Sequence, residues 1–448
     1  MMRCDVQMTR LRIDFQSSGL DHTAMFPEAI ETQPEQITRR RKVMERMIGG
    51  VGMFRVFGSA ARSYALCTAV LIGFVFTGVG RAAPNPTCTV QVVAGQSIQA
   101  AIDAAPTGAT VCVGPGTYQE NLLIAKDGIT LKGAGPGATV LQPPAEPVPV
   151  CLKLFFPPVD YENNGLNGIC VADVDPQGNI LRAVNDVRVT GFTIQDFPGV
   201  GIVFAGTNRP RADHNVAANN ASYGITAFGS THGQFEYNTT YGSHDAGFYV
   251  GDSPEADFRI QYNTAFDDLW GILVRDSARG RVTDNLLQGS CAGLVFLNTG
   301  TVEGVHHWRA SHNIAAGNNK FCPADELPFT LTGVGIMIAG GDHIVLRENR
   351  VRENQAGGDP SIIHGVPLAG GIVVVSTADV SVFSGYYGSV AAHNIVVNNL
   401  VLDNQPFDLV YDGLGTGNHF VSNRCGTSSP AGLCRSREEP EARPTTWH

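Results

Sequence analysis

The sequence predicts an all-β fold, a right-handed parallel β-helix (solenoid) with a short N-terminal capping helix. Glycine is unusually frequent, with 52 among 448 residues beside 25 prolines, which is typical of turn-rich β proteins. A glycine followed by a large apolar residue also recurs at a nearly constant interval. No interval has room for a crossover helix, so the parallel arrangement that remains is a stack of coils.

The repeat runs through the middle of the chain. Its glycines are Gly201, Gly224, Gly247, Gly271, Gly293, Gly335 and Gly371. The last two intervals are longer, which indicates one coil plus an insertion each, at about 318–333 and 355–369. Asparagines follow the first four glycines by fourteen to sixteen residues, at Asn215, Asn238, Asn263 and Asn285. Because stacked coils are in register, we expect these amides to form a ladder at one corner.

Alternation along each repeat strand predicts which side chains face the core. The first and third residues after each glycine are expected to point inward, as Ile202 and Phe204 do in the first repeat. The second residue points outward, and in five repeats this residue is apolar or aromatic: Val203, Tyr249, Leu273, Val295 and Met337. Such a stripe is either covered by another segment or serves as a platform for sugars.

The region before the repeats predicts a cap and carries a family resemblance. Residues 97–105 place apolar side chains at helical spacing, as a short helix covering the first coil requires. Gly95–Asp103, followed by Val113–Tyr118 and Ile129–Gly133, resembles the opening of right-handed parallel β-helix proteins with the pectin-lyase-like fold. The resemblance covers roughly 88–425. It implies the fold but leaves the activity open, because polysaccharide lyases, hydrolases and epimerases share that fold with phage tailspikes and surface adhesins.

The N-terminal region predicts export. Residues 46–83 contain the three parts of a signal peptide, with basic residues, an apolar run at 64–79 and small residues for cleavage. The apolar run is short for a membrane span, so we expect cleavage rather than an uncleaved anchor. The mature protein is therefore expected to be secreted or periplasmic, without membrane attachment and as a monomer.

The remaining segments follow from that assignment. Residues 1–45 form an extension that we expect to be disordered, or absent if translation starts at Met44, Met47 or Met53. The β-helix is expected over 84–434, with a disordered tail over 435–448.

The mature part would be acidic and rich in paired cysteines. Residues 84–448 contain 20 basic and 34 acidic residues, which makes nucleic acid an improbable partner. Their eight cysteines fall into near neighbours along the chain: Cys88 with Cys112, Cys151 with Cys170, Cys291 with Cys322, and Cys425 with Cys434. We expect four disulfides in an oxidising compartment, with metal ligation as the weaker alternative because no Cys-x-x-Cys pair occurs.

One corner gathers the candidate catalytic residues. They all lie shortly before a repeat glycine: Tyr241, His244, Asp245, Asp267 and Asp268. Carboxylates about 5 Å apart on adjacent coils raise one another's pKa or bind a cation such as Ca²⁺. Either arrangement suits acid–base chemistry on uronic acid sugars. The alternative is that these residues are ordinary solvated turns.

Candidate substrate-binding residues lie after the repeat glycines. They are Tyr249, Asp252, Arg275, Asp276 and Trp308. An arginine among acids either clamps a carboxylate sugar or forms a surface ion pair. The aromatic rings either stack on sugar or anchor a loop.

These observations predict an exported protein that binds or processes extracellular or cell-wall polysaccharide, with lyase, hydrolase or epimerase chemistry as the enzymatic form. The competing hypothesis is a non-catalytic carbohydrate-binding or structural surface solenoid. A maturation helper for a metalloenzyme is a third hypothesis, disfavoured because the sequence shows no clustered His or Met ligands. The acidic mature charge opposes simple capture of acidic glycans unless Ca²⁺ bridges them.

Overall fold

The structure is a computed structural model that describes residues 87–435, apart from residues 149, 152–165, 176–178, 302–303, 325–327 and 384–385. The predicted extension, the predicted signal peptide and the predicted tail beyond Arg435 lie outside the described residues. Within the described part, no helix is long and apolar enough to cross a membrane.

Each coil contributes short strands to three parallel sheets, here named faces A, B and C in the order in which the chain meets them. Face A contains Val90–Val92, Thr110–Val113, Thr130–Lys132, Arg188–Thr190, Arg211–Asp213, Gln234–Glu236, Phe258–Gln261, the end of Trp270–Thr283, His306–Ser311, Val345–Arg347, Ile395–Val397 and His419–Val421. Face B contains Gly116–Gln119, Thr139–Gln142, Thr193–Gln195, Val216–Ala218, Thr239–Tyr241, Thr264–Phe266, Leu286–Gln288, Ile314–Ala316, Arg350–Arg352 and Leu400–Leu402.

Face C carries the repeat glycines. Its strands are Leu122–Ile124, Ile169–Val171, Ile202–Ala205, Ile225–Phe228, Ala246–Ser253, the start of Trp270–Thr283, Ala292–Leu297, Val334–Ala339, Gly370–Val375, Leu409–Tyr411 and Ser428–Ser429. Every pairing within the three faces is parallel and joins successive coils, so the predicted parallel β-helix is confirmed. Crossovers between parallel strands are right-handed in nearly all proteins, which gives the coil its hand.

The remaining strands are short pairs outside the three faces. Val184–Asn185 pairs in parallel with Thr207–Asn208. The antiparallel hairpins are Asp173–Val174 with Ile180–Arg182, Phe321–Cys322 with Leu331–Thr332, Ile362–Ile363 with Val366–Pro367, and Ser381–Phe383 with Tyr386–Tyr387. The second and third hairpins form parts of the two insertions between faces B and C.

The core fills the inside of the coil, and a helix covers its first end. Ile202 and Phe204 are fully buried, as the alternation predicts. The helix Ile98–Ala104 contacts the first strands of faces A and C, and Ser97 caps it by accepting the Ala100 N–H. Because two apolar side chains of this helix are buried against the first coil, the predicted N-terminal cap is confirmed.

Asparagine ladders satisfy the backbone at two corners. At the corner between faces A and B, each amide donates to the next amide and to a main-chain carbonyl below it, and the members are Asn215, Asn238, Asn263, Asn285, Asn313, Asn349, Asn399 and Asn423. The predicted ladder is therefore confirmed. A second ladder, at the corner between faces B and C, includes Asn220, Ser243, Asp268, Ser290, Asn318, Asn354 and Asn404. Because its members differ in residue type, this second ladder was not predicted from the sequence.

The insertions cover the outside of face C. Outward residues of that face form a second apolar cluster with Leu331, Ile363 and Val366, which belong to the insertion hairpins. The stripe is thus a buried layer, and it offers no platform for sugars. The four expected disulfides are present, with Cα atoms 5.3–6.1 Å apart. The pair Cys291–Cys322 ties the first insertion to the coil.

Candidate functional site

Asp268 lies inside the coil, away from any open groove. It is 0% exposed, and its carboxylate accepts the Ser243 N–H at 2.8 Å and the Thr240 hydroxyl at 3.3 Å. Burial raises the pKa of Asp268 to about 7. The prediction that Asp268 shares a solvent-facing corner with His244 is therefore wrong. Asp268 is a member of the second ladder, at the position that an asparagine such as Asn318 fills in other coils.

A difference in coil length explains this error. Three residues separate the ladder residue Ser243 from Gly247, but only two separate Asp268 from Gly271. Counting back from the glycines therefore pairs Asp268 with His244, whereas in the structure Asp268 lies over Ser243. A shift of one residue exchanges inward and outward positions.

The other four corner residues are exposed or half-buried and lie on two successive coils, with Asp267 on the coil after that of Tyr241, His244 and Asp245. His244 is exposed, and Asp245 accepts the Ser222 hydroxyl at 2.9 Å. Asp267 has 71% of its side chain exposed and lies 3.3 Å from the ammonium of Lys320. Among the described residues, these acids do not belong to a group of three His, Cys, Asp or Glu side chains close enough to hold a metal ion.

The second predicted group does come together, but mostly below the surface. Arg275 donates through Nη2 to both carboxylate oxygens of Asp252, at 2.7 and 2.9 Å, and its Nε lies 3.6 Å from Asp276. The guanidinium also lies 5.8 Å from the ring centroid of Tyr249, whose hydroxyl donates to Asp252 at 3.3 Å. Tyr249 is 0% exposed, and the Arg275 side chain is 6% exposed.

This burial gives the group a structural role. Desolvation raises the pKa of Asp276 and raises that of Tyr249 well above the usual range. Asp276 also accepts hydrogen bonds from the backbone and hydroxyl of Thr299, so both of its oxygens are engaged. Since Arg275 is already held by two carboxylates and shielded from solvent, it is not available to clamp a sugar. Only Asp252, with 40% of its side chain exposed, reaches the surface.

Trp308 belongs to the core. It is 0% exposed, its Nε1 donates to the Ser277 carbonyl at 2.8 Å, and its ring packs against Gly280. A Cβ at Gly280 would lie 2.3 Å from the indole, so only glycine fits there. The expectation that Trp308 stacks on sugar is wrong, because alternation along His306–Ser311 turns its side chain inward.

Four aromatic rings instead share the outside of two successive coils beside face B. Tyr241 and Phe266 are half-buried and stack with centroids 4.9 Å apart and planes 13° apart. Tyr237 and Tyr262 stack in the same way at the preceding corner, 5.0 Å and 12° apart, with exposures of 51% and 46%. We name these four residues the aromatic platform.

The His214 ring stacks on Tyr237 with centroids 5.2 Å apart, and small or polar side chains border the rest of the aromatic platform. Thr239 and Thr264 lie between its two stacks, and Ala218 is the neighbour of Tyr241 on the preceding coil. Because Ala218 is small, no ring of the described residues stacks on the face of Tyr241 that is turned away from Phe266. Asp267, with its Lys320 partner, follows Phe266 directly. The surface therefore combines exposed aromatic carbon with hydroxyls and one ion pair.

The glycine spacing predicts only Tyr241 of the aromatic platform, although the sequence contains a signal for all four rings. The segments 237–241 and 262–266 both read Tyr-Asn-Thr, followed by one residue and then an aromatic residue. Each contains one asparagine of the first ladder, so the ladder register alone aligns the two aromatic pairs. Aligning the coils by asparagine rather than by glycine would have found all four rings.

The comparisons with known proteins agree with this architecture. The family described as "Right handed beta helix region" matches residues 159–321. The chain is a right-handed parallel β-helix protein, and the predicted resemblance to that class is confirmed. No curated protein matches the chain by sequence.

Several solved structures resemble the chain at low identity. The A-module of mannuronan C-5 epimerase AlgE6 from Azotobacter vinelandii is 19% identical, with 74% of this chain and 89% of that chain covered and a TM-score of 0.47. The A-module of AlgE4 from the same organism is 17% identical, with 74% and 91% covered and a TM-score of 0.48. An alginate lyase from Paenibacillus sp. str. FPU-7 is 13% identical, with 77% and 97% covered and a TM-score of 0.44. At these values no residue role or activity transfers to this chain.

Proposed function

We propose that this β-helix binds polysaccharide across the aromatic platform. The observation that supports the proposal is the pair of parallel ring stacks, one half-buried and one exposed, on two consecutive coils. Aromatic rings offer apolar faces and edges with little conformational entropy to lose, which suits the apolar faces of pyranose rings. Thr239 and Thr264 supply hydroxyls that pair with sugar hydroxyls between the stacks.

An extended polymer fits this surface better than a small ligand does. The strands of face B repeat at about 4.8 Å along the solenoid axis, so a chain lying along that axis meets similar side chains at each coil. Outward positions of face B remain half-buried or exposed over further coils, for example at Gln288 and Ala316. Residue types differ from coil to coil, so the two coils with the aromatic platform form the strongest subsite.

Processing of the bound polysaccharide, as a lyase, hydrolase or epimerase, is the second candidate function. The observation that favours it is the Asp267–Lys320 pair, which places a carboxylate and an ammonium 3.3 Å apart directly after Phe266. An acid and a base at the edge of a sugar subsite are what proton transfer requires. A binding module without catalysis would use the same pair only for hydrogen bonding.

The predicted export forms part of the proposal. Four disulfides are typical of proteins that fold outside the cytoplasm. A secreted or periplasmic β-helix would meet cell-wall or extracellular glycans. Mass spectrometry of the mature N-terminus tests export, since cleavage near Ala82 or Ala83 is expected.

The experiment is a panel of polyuronates and neutral glycans, titrated into the full chain by calorimetry with and without Ca²⁺. We expect saturable binding of at least one polysaccharide. The same mixtures are then assayed for unsaturated products, new reducing ends and epimer content. Products would establish processing, and binding without products would establish a binding module. If no glycan binds, the proposal is contradicted and the hypothesis of a structural solenoid is favoured.

A further inference from the structure

Histidines from three successive coils meet at the corner between faces C and A. The ring centroids of His307 and His343 lie 4.8 Å apart with planes 2° apart, and those of His343 and His393 lie 4.8 Å apart with planes 27° apart. His306 lies beside His307, with their Nδ1 atoms 2.7 Å apart. This column is outside face B and takes no part in the proposed polysaccharide site.

Asp342 joins two of these histidines. Its carboxylate lies 2.7 Å from Nδ1 of His343 and 2.9 Å from Nδ1 of His393. These three residues are the one group among the described His, Cys, Asp and Glu side chains whose ligand atoms all lie within 4.8 Å of one another. The same three side chains are about half exposed, so an ion has direct access from solvent.

We propose that Asp342, His343 and His393 form a binding site for a divalent first-row transition metal, with zinc as the representative ion. Two imidazole nitrogens and one carboxylate oxygen are a donor set that zinc accepts, with a fourth position left for water or His307. This donor set disfavours Ca²⁺, which prefers oxygen ligands throughout.

The local geometry favours such a site. Tetrahedral zinc holds two nitrogen ligands about 3.4 Å apart, and the ligand atoms of Asp342, His343 and His393 already lie within 4.8 Å of one another. The residue that corresponds to Asp342 on the next coil is Ala392, which leaves room beside His393. The backbone holds His343 and His393 in the left-handed region, with φ of 52° and 53°, so both rings project from the corner in the same direction.

This cluster could not be predicted from the sequence because its residues are far apart along the chain. Asp342 and His393 are 51 residues apart, with an insertion between them, so no short metal-binding motif appears. The prediction that clustered histidine ligands are lacking is therefore wrong, because the fold brings His343 and His393 together beside Asp342. A bound ion would link two neighbouring coils and stabilise their stacking.

The test is calorimetric titration of the full, disulfide-bonded chain with Zn²⁺ alone. We expect one site per chain with micromolar or tighter affinity, and a loss of at least about tenfold in affinity in His343→Asn and in His393→Asn. Asparagine tolerates the left-handed backbone, so these variants keep the fold. The matched control is His312→Asn, at an exposed histidine with φ of 58° that pairs with Glu348 outside the cluster.

A second measurement, made on the unaltered chain, does not depend on whether the variants fold. Co²⁺ added to the unaltered chain should give the visible absorption of a tetrahedral nitrogen and oxygen site, and Zn²⁺ should displace it. Absence of saturable Zn²⁺ binding in the unaltered chain would overturn the proposal. So would an affinity that the His343→Asn/His393→Asn double variant retains, since the ion would then bind elsewhere.

Discussion

Tyr241 and Phe266 stack at 4.9 Å because they occupy the same position on two successive coils of face B. Their pairing follows from the register of the ladder asparagines Asn238 and Asn263, which precede them by three residues each. Because the coils stack at a constant spacing, equivalent residues of successive coils also lie next to one another on the surface.

Removal of one ring from the aromatic platform should weaken polysaccharide binding. We expect Tyr241→Ala to reduce affinity by at least about tenfold, since truncation of a central aromatic contact often costs more than 1 kcal/mol. Calorimetry with the best glycan of the panel measures the change. Tyr387→Ala is the control, because Tyr387 is an exposed tyrosine outside face B. Equal losses in both variants would show that the platform has no special role.

Asp268 should make stability depend on pH. Its folded pKa of about 7 lies above the ordinary value of 3.8, so the folded state keeps a proton that the unfolded state releases between these values. Stability is therefore complete at acidic pH and is lost as pH rises through that window. Asp268→Asn removes the charge and supplies the amide used elsewhere in the same ladder, as at Asn318.

The expected result is a melting temperature higher than that of the unaltered chain at about pH 8.5, and a gain less than half as large at about pH 5, which lies inside the window between the two pKa values. The free-energy difference at the higher pH is on the order of 4 kcal/mol, from a shift of about three pKa units. The control is Asp267→Asn, at the exposed neighbour, which should change neither value by much. A stabilisation by Asp268→Asn that is the same at both pH values would contradict the assignment.

Arg275 should matter for stability and not for sugar binding. In Arg275→Ala, buried Asp276 would lose its cation, which costs about 3–5 kcal/mol of unfolding free energy. Asp252→Asn, at the more exposed partner, should cost about 1 kcal/mol or less. Urea unfolding measures both. If Asp252→Asn kept full stability but abolished glycan binding, the substrate-clamp hypothesis would have to be restored.

The first ladder should be a main source of stability. The Asn285 amide donates to the Ile260 carbonyl and to Asn313, and its oxygen accepts from the backbone of Asn263. Asn285→Ala leaves buried groups unpaired at about 1–3 kcal/mol each. Gln288→Ala, at an exposed residue on the same coil, is the control and should stay within about 0.5 kcal/mol. Equal urea midpoints for the two variants would refute this role for the ladder.

The fold could be predicted because its signals are repeated along the chain. The repeat glycines lie on face C, where a Cβ would come within 2.5–3.0 Å of a carbonyl oxygen of the next coil. Most of the same coils also carry an asparagine at the corner between faces A and B. Both residue types therefore mark the period independently. Ile202 and Phe204 then follow from simple alternation, and near spacing identified the four cysteine pairs.

The candidate site was harder to predict, because it depends on the register within a corner and on cover from distant segments. The segment between the ladder residue and the repeat glycine is one residue shorter before Gly271 than before Gly247, and this difference turns Asp268 inward. The sequence does not show which position of the segment is missing. Tyr249 is buried partly because Tyr223 and Phe228 pack against it, at 4.9 and 4.7 Å. Such packing depends on side-chain directions that alternation alone does not determine.

The most direct test of the account is hydroxyl-radical footprinting of the unaltered chain with and without its best polysaccharide ligand, read by mass spectrometry. We expect the ligand to lower oxidation at Tyr237, Tyr241, Tyr262 and Phe266, while Tyr387 stays unchanged. Protection confined to another surface, with the four rings oxidised as in the free protein, would contradict the claim that the aromatic platform holds the glycan.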